Sequence, residues 1–169
     1  MGGTILANNL ARRLSGELEQ GSSKITMLSA SDKHMYQPGL LYVAVGKMST
    51  SELYRDQKSL LEPTIDFHVD PVEKFDLDNN SVTTKSGKKI SYDIICIATG
   101  SRGNAAGIPG LAENACQFYT EADALAMYKK LQKFEGGKVV VATGVPHTCP
   151  LSPLEITFFL IDYFKKRGI

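Results

Sequence analysis

The chain has 169 residues, 43% of them hydrophobic and 22% charged, with 15 Gly and 7 Pro, which suits one ordinary folded domain or parts of two and excludes collagen-like, low-complexity and coiled-coil chains. Nineteen basic against eighteen acidic side chains leave a net charge of +1, so nothing pulls the molecule toward nucleic acid or anionic lipid. No apolar run is long enough to span a bilayer, and the start lacks a basic segment followed by an apolar one, so residence inside the cell is expected.

In chain order, Thr4 to Gln20 reads as one helix with Ile5, Leu6, Leu10, Leu14 and Leu18 as its inward stripe and Gly21 as its C-terminal stop. Lys24 to Leu28 is a short strand feeding a polar loop that contains His34, and Leu40 to Val45 suits either core or pocket lining. From Phe67 to Asp93 the apolar period is two, broken by the turn clusters Asp78-Asn79-Asn80 and Ser86-Gly87-Lys88, which predicts an antiparallel meander. Tyr92 to Gly100 is a continuous apolar run closed by small residues, the pattern of a strand buried on both faces, and Lys138 to Thr143 repeats it. Between them Thr120 and Asp123 form a capping pair for a helix over Glu121 to Lys133, with Ala124, Leu125, Tyr128 and Leu131 inward. Ser152, Pro153 and Glu155 have the spacing of a helix cap, first-turn proline and third-position acid, predicting a helix from Ser152 to Arg167 stopped by Gly168.

Strands alternating with crossover helices predict an α/β fold: an open parallel, Rossmann-like sheet with an inserted antiparallel β-meander, followed by the start of a second α/β unit. The expected division is 1–107 and 108–169. Both ends look cut, because the first helix has no strand before it and the last none after it.

Gly2-Gly3 before a helix is the tail of a strand, glycine turn and helix arrangement, in which free N–H groups at the helix start face a pyrophosphate. The small Ala98-Thr99-Gly100 turn is a second place where backbone can approach a ligand. Three cysteines, Cys96, Cys116 and Cys149, stand 20 and 33 residues apart and match neither a disulfide framework nor a zinc site. Cys96 falls in a strand run and is expected in the core. Cys149 lies just ahead of a helix start, where dipole and N–H groups favour a thiolate, with His147 nearby. His34 and His68 are expected at the surface, His68 with a cross-strand alternative. Arg102 is a candidate phosphate contact with an equal claim to a surface role.

Four stretches taken together carry a resemblance over essentially the whole chain: Met1-Gly2-Gly3-Thr4 before Ile5 to Leu14; Tyr36-Gln37-Pro38-Gly39 with Val43 to Gly46; Tyr92-Asp93 through Ala98-Thr99-Gly100-Ser101-Arg102; and Pro146-His147-Thr148-Cys149-Pro150 with Pro153-Leu154-Glu155. They resemble the pyridine-nucleotide disulfide oxidoreductase flavoproteins, and within them the sulfide:quinone oxidoreductase branch. The resemblance implies FAD held near Gly2, Gly3, Ala98, Thr99 and Gly100. Ser29 stands at the strand end where such proteins place a ribose-binding acid, leaving Asp32 as a substitute or the contact missing. It also implies Cys149 as the sulfur-carrying cysteine, Cys116 as a further participant, sulfide and quinone as substrates, a homo-oligomer, and peripheral membrane attachment of a longer parent. An NADH:quinone or disulfide reductase is the related alternative, disfavoured by Pro146 in the second glycine turn. A non-catalytic module is the other.

Overall fold

In a computed structural model the described residues are 1–144 and 149–169. The helices are α1 (Gly2–Arg13), α2 (Ser15–Glu19), α3 (Leu40–Ala44), α4 (Leu111–Asn114), α5 (Glu121–Gln132) and α6 (Ser152–Lys166). The strands are β1 (Thr26–Ser29), β2 (Lys33–Met35), β3 (Tyr54–Asp56), β4 (Asp66–Val69), β5 (Val72–Asp76), β6 (Ser81–Thr84) and β7 (Lys89–Ser91). They fall into two compact units, the first made of residues 1–35 and 54–100, the second of 36–53 and 101–169.

In the first unit β1 and β4 pair in parallel, Thr26 opposite Asp66 through Ser29 opposite Val69. Phe67 to Val69 therefore belongs to the parallel pair and not to the meander; alternation of side chains is the same in both kinds of strand, so period alone could not separate them. The meander itself is β5-β6-β7, antiparallel throughout. Its first turn is closed by the Asp76 carboxylate, which accepts from the Asn79 backbone N–H at 3.2 Å, and Asn80 takes a left-handed φ of 46°. Its second turn is anchored by Ser86, whose hydroxyl donates to Asp70 at 2.6 Å.

The predicted first helix is interrupted. Leu14 leaves helical geometry at φ −105°, ψ 23°, just before Ser15 and Gly16, two weak helix formers. Its inward face is Thr4, Ala7 and Ala11, while Ile5 and Leu6 are exposed. Positions 4, 7 and 11 are a proper helical stripe, and small side chains let the helix lie close to its neighbours. Ala7 and Ala11 pack with Ile65, and Leu18, Ile25, Met27 and Leu61 close over them.

The two expected doubly buried strands are corrected. Residues 94–100 and 138–144 join no ladder, and Ile94, Ile97 and Val140 are 85%, 61% and 76% exposed. Cys96 is exposed with its segment instead of sitting in a core. Burial on both faces requires strands on either side and helices above and below, and the parallel sheet among the described residues has only β1 and β4.

In the second unit α3 supplies the centre: Leu40, Leu41, Val43 and Ala44 are all buried, and they meet Ala124, Met127 and Leu131 of α5 and Ile156 and Leu160 of α6. The Tyr42 and Phe159 rings lie 4.9 Å apart. Helix α5 begins as predicted, with Thr120 Oγ1 accepting from the Asp123 N–H at 3.1 Å and donating to its carboxylate at 2.6 Å. Its inward stripe differs by one position: Met127 is buried and Leu125 exposed, while Tyr128 stands half-buried. Tyr128 lies against Gly46, where a Cβ would come within 2.3 Å of the ring and where φ is +73°. Lys47 reaches Asp162 of α6 at 2.8 Å, and Lys166 joins the same carboxylate at 3.0 Å.

Candidate functional site

The first unit presents the start of α1. Met1 caps it without a side-chain bond, and the Ile5 N–H donates to the Met1 carbonyl at 3.1 Å. The N–H groups of Gly2, Gly3 and Thr4 thus have no acceptor within the helix, the arrangement that receives an anion. A Cβ on Gly3 would stand 3.4 Å from the Ala98 Cβ and 3.9 Å from Met27 Cε, while one on Gly2 would meet nothing within 4 Å. Gly3 and Ala98, ninety-five positions apart, are therefore neighbours. Ala98, Thr99 and Gly100 are exposed, and Gly100 takes φ +74°.

Thr4, next to Gly3 on α1, belongs to a cluster that sequence reasoning missed. His34 belongs to β2, not to a solvated loop, and its Nδ1 is 3.0 Å from Gln57 Oε1 and 3.5 Å from Thr4 Oγ1. Gln57 Nε2 in turn donates to Thr4 Oγ1 at 3.2 Å, and both Thr4 and Gln57 are buried. Nothing local to Gln57 signals this, because its partners are 23 and 53 residues away in the chain. Ser29, at the end of β1, uses its hydroxyl locally, donating to the Ser31 carbonyl at 2.8 Å. Asp32 is exposed, and its carbonyl accepts from the Gln57 N–H at 2.7 Å. His68 pairs with Asp66 at 2.9 Å, as Lys24 does at 2.7 Å. The hydrogen bond from Lys24, ahead of that from His68, holds the Asp66 carboxyl below its ordinary range.

The second unit carries Cys149, half-buried at the start of α6. The Ser152 hydroxyl first, then the backbone N–H groups of Ser152 and Leu151, pull the thiol below its ordinary pKa, against partial desolvation and the Glu155 carboxylate one turn along. Ser152 was expected to cap the helix; Leu151 occupies the cap position with no side-chain bond, and Ser152 is inside the first turn, buried. Pro146 and His147 lie outside the described residues. Cys116 is exposed and lines a small cavity of about 170 Å³ with Asp123, Met127 and Lys130; Cys149 is not in its lining. Arg102 is exposed in this unit, on the chain leaving Gly100. Leu40 to Val45 proves mainly core, with Val43 also reaching a concavity of about 460 Å³ lined by Gly46, Lys47, Ser49, Leu125 and Tyr128. Among the described residues no group of three or more metal-binding side chains forms, and no helix is long and apolar enough to cross a membrane.

The described residues thus offer an uncapped helix start beside a small-residue turn in the first unit, and a half-buried cysteine just ahead of a helix in the second. Residues 1–145 match the family described as pyridine nucleotide-disulphide oxidoreductase, and the chain belongs to that family. Among curated relatives, it is 34% identical over 172 residues to a sulfide-quinone reductase of Aquifex aeolicus (strain VF5), covering 100% of this chain and 38% of that one. It is 28% identical over 173 residues to the mitochondrial sulfide:quinone oxidoreductase of Mus musculus, covering 99% and 37%. The X-ray structure of the Aquifex aeolicus sulfide:quinone oxidoreductase superposes with a TM-score of 0.77 at 28% identity, over 99% of this chain and 38% of that one. The chain thus spans a little over a third of the length of the relatives it matches.

Proposed function

We propose that this chain is part of a flavoprotein that oxidises sulfide and reduces a quinone, with Cys149 as the sulfur nucleophile. The observation that carries the reading is a half-buried cysteine, Cys149, just ahead of the start of α6, in a chain aligned over its whole length with a sulfide-quinone reductase. With its pKa lowered at the helix start, the thiol yields more readily the thiolate that bonds to a second sulfur. Joining hydrosulfide to Cys149 makes one S–S bond, releases one proton to water and leaves two electrons to be taken up. FAD, when bound, supplies the acceptor for that electron pair and its delivery to quinone.

The first unit fits such a group. Gly2 and Gly3 with the uncapped start of α1 would hold the pyrophosphate, and Ala98 to Gly100 would pass beside the dinucleotide with no bulk in the way. Ser29 and Arg102 are the side chains we assign to the rest of the dinucleotide, and Cys116 is a second sulfur available to the cycle. Residues 1–107 are read as the flavin-binding part and 108–169 as the start of a second α/β unit. Self-association and peripheral attachment to a membrane, where quinone resides, complete the reading.

Anaerobic addition of sulfide to the FAD-loaded protein is expected to bleach the visible flavin band, and a soluble quinone to restore it. Persistence of the band under excess sulfide would remove the assignment.

A further inference from the structure

No local device holds the start of α1. Met1 caps it without a side-chain bond, its first turn carries no acid, and Gly2 and Gly3 bring no side chain to anchor it. Helix ends fray unless something ties them down. The first side chain able to do so is Thr4, which is 7% exposed and belongs to the inward face of α1. Its hydroxyl accepts from Gln57 Nε2 at 3.2 Å, and the other end of the same amide, Oε1, lies 3.0 Å from His34 Nδ1. Because a carbonyl oxygen only accepts, Nδ1 is a nitrogen of His34 that carries hydrogen. Gln57 is 4% exposed, and its backbone N–H donates to the Asp32 carbonyl at 2.7 Å, so the residue that holds Thr4 is itself fixed to the chain entering β2. A buried amide satisfied at both ends is costly to strip of either partner. The clamp also grips α1 through a side chain, so the N–H groups of Gly2, Gly3 and Thr4 stay open, whereas an ordinary Ser, Thr or Asp cap would take one of them up.

We propose that Gln57, backed by His34, is a positioning residue for the dinucleotide: it holds Thr4, and thereby keeps the first turn of α1 in the geometry that receives the pyrophosphate. This rests on the reading of the first unit as the flavin-binding part, but the hold on α1 can be tested without flavin.

The test takes the whole chain through two measurements: residue-resolved amide hydrogen exchange without FAD, and FAD affinity by flavin fluorescence titration. The Ile5 N–H, which donates to the Met1 carbonyl at 3.1 Å, reports on the first turn, and the amides of β6 report on the rest of the unit. Gln57→Leu is expected to speed exchange at Ile5 about fivefold relative to β6 and to weaken FAD binding about fivefold, the size of one neutral hydrogen bond. His34→Leu should act in the same direction. His34→Asn, whose amide N–H can stand where Nδ1–H stood, should restore native values in both measurements. Asn8 is the control: it ties α1 one turn further on, its Nδ2 donating to the Leu60 carbonyl at 2.7 Å and its Oδ1 accepting from the Glu62 N–H at 2.9 Å. Asn8→Ala is expected to lower the urea midpoint while leaving FAD affinity near native. Native exchange at Ile5 in Gln57→Leu, an acceleration shared equally by β6, or a loss of FAD affinity no larger than that of Asn8→Ala overturns the proposal. If the exchange pattern is as expected but the native protein leaves flavin fluorescence unchanged, the hold on Thr4 stands and the flavin reading of the first unit falls.

Discussion

At the scale of single residues, two glycines, Gly46 and Gly3, decide most. Gly46 has both a left-handed φ and an aromatic ring where a side chain would begin, so Gly46→Ala must move Tyr128 or the backbone. A loss of at least about 1–2 kcal/mol is expected from the backbone alone, read from urea denaturation. A Cβ at Gly3 would already be in van der Waals contact with Ala98, leaving no room on that side for larger groups. Gly3→Val is expected to weaken FAD binding by about tenfold or more, roughly 1.4 kcal/mol, in a fluorescence titration, because branched methyl groups would prise the turn at Ala98 from the start of α1. The positions of Gly2-Gly3 at the start of α1 and of Cys149 just ahead of α6 were readable from type and spacing. The place of Ser152 was not: a serine before proline and three residues ahead of an acid has the form of a cap, yet Leu151 holds the cap position and Ser152 is buried inside the first turn. The Thr4, His34 and Gln57 cluster was equally hidden, since three polar residues spread over 53 positions carry no local signal.

At the scale of elements, the sequence is most informative where a local rule decides. The Thr120 cap on α5 is an example, and Thr120→Ala is expected to cost about 1 kcal/mol in thermal or urea unfolding. The β5-β6-β7 meander is another, since its turns are made by Asp, Asn and Gly acting on their own backbone. Prediction faltered where a partner far along the chain decides, as in the parallel pairing of β4 with β1 and the small-residue face of α1. The β1 and β4 pair also carries a pH dependence. Because Lys24 and His68 lower the Asp66 pKa in the fold, its contribution is present above the ordinary carboxylate value and is lost as pH falls through the lowered one. Asp66→Asn is therefore expected to lower stability slightly at neutral pH, slightly because the pair is partly exposed and screened, and to converge with the native protein as pH falls well below about 4, which flattens the acid limb of the urea-denaturation profile.

At the scale of the molecule, fold class was legible because alternating apolar strands and amphipathic helices admit few layer arrangements. The burial of individual strands was not, because an apolar run records what a segment can pack against and not what is present. Ile94 and Val140 are the cases in point. Ile94→Lys and Val140→Lys are each expected to change the stability of this chain by no more than about 0.5 kcal/mol, as at other open surface positions; a loss of several kcal/mol would show that these side chains are covered in solution. The central claim concerns where sulfur goes. Exposing the FAD-loaded protein to sulfide with a soluble quinone, then weighing each cysteine peptide, is expected to find one added sulfur atom on Cys149 and none there after Cys149→Ala. Added sulfur on Cys96 or Cys116 with Cys149 unmodified, or sulfide consumption undiminished in the variant, would contradict the account.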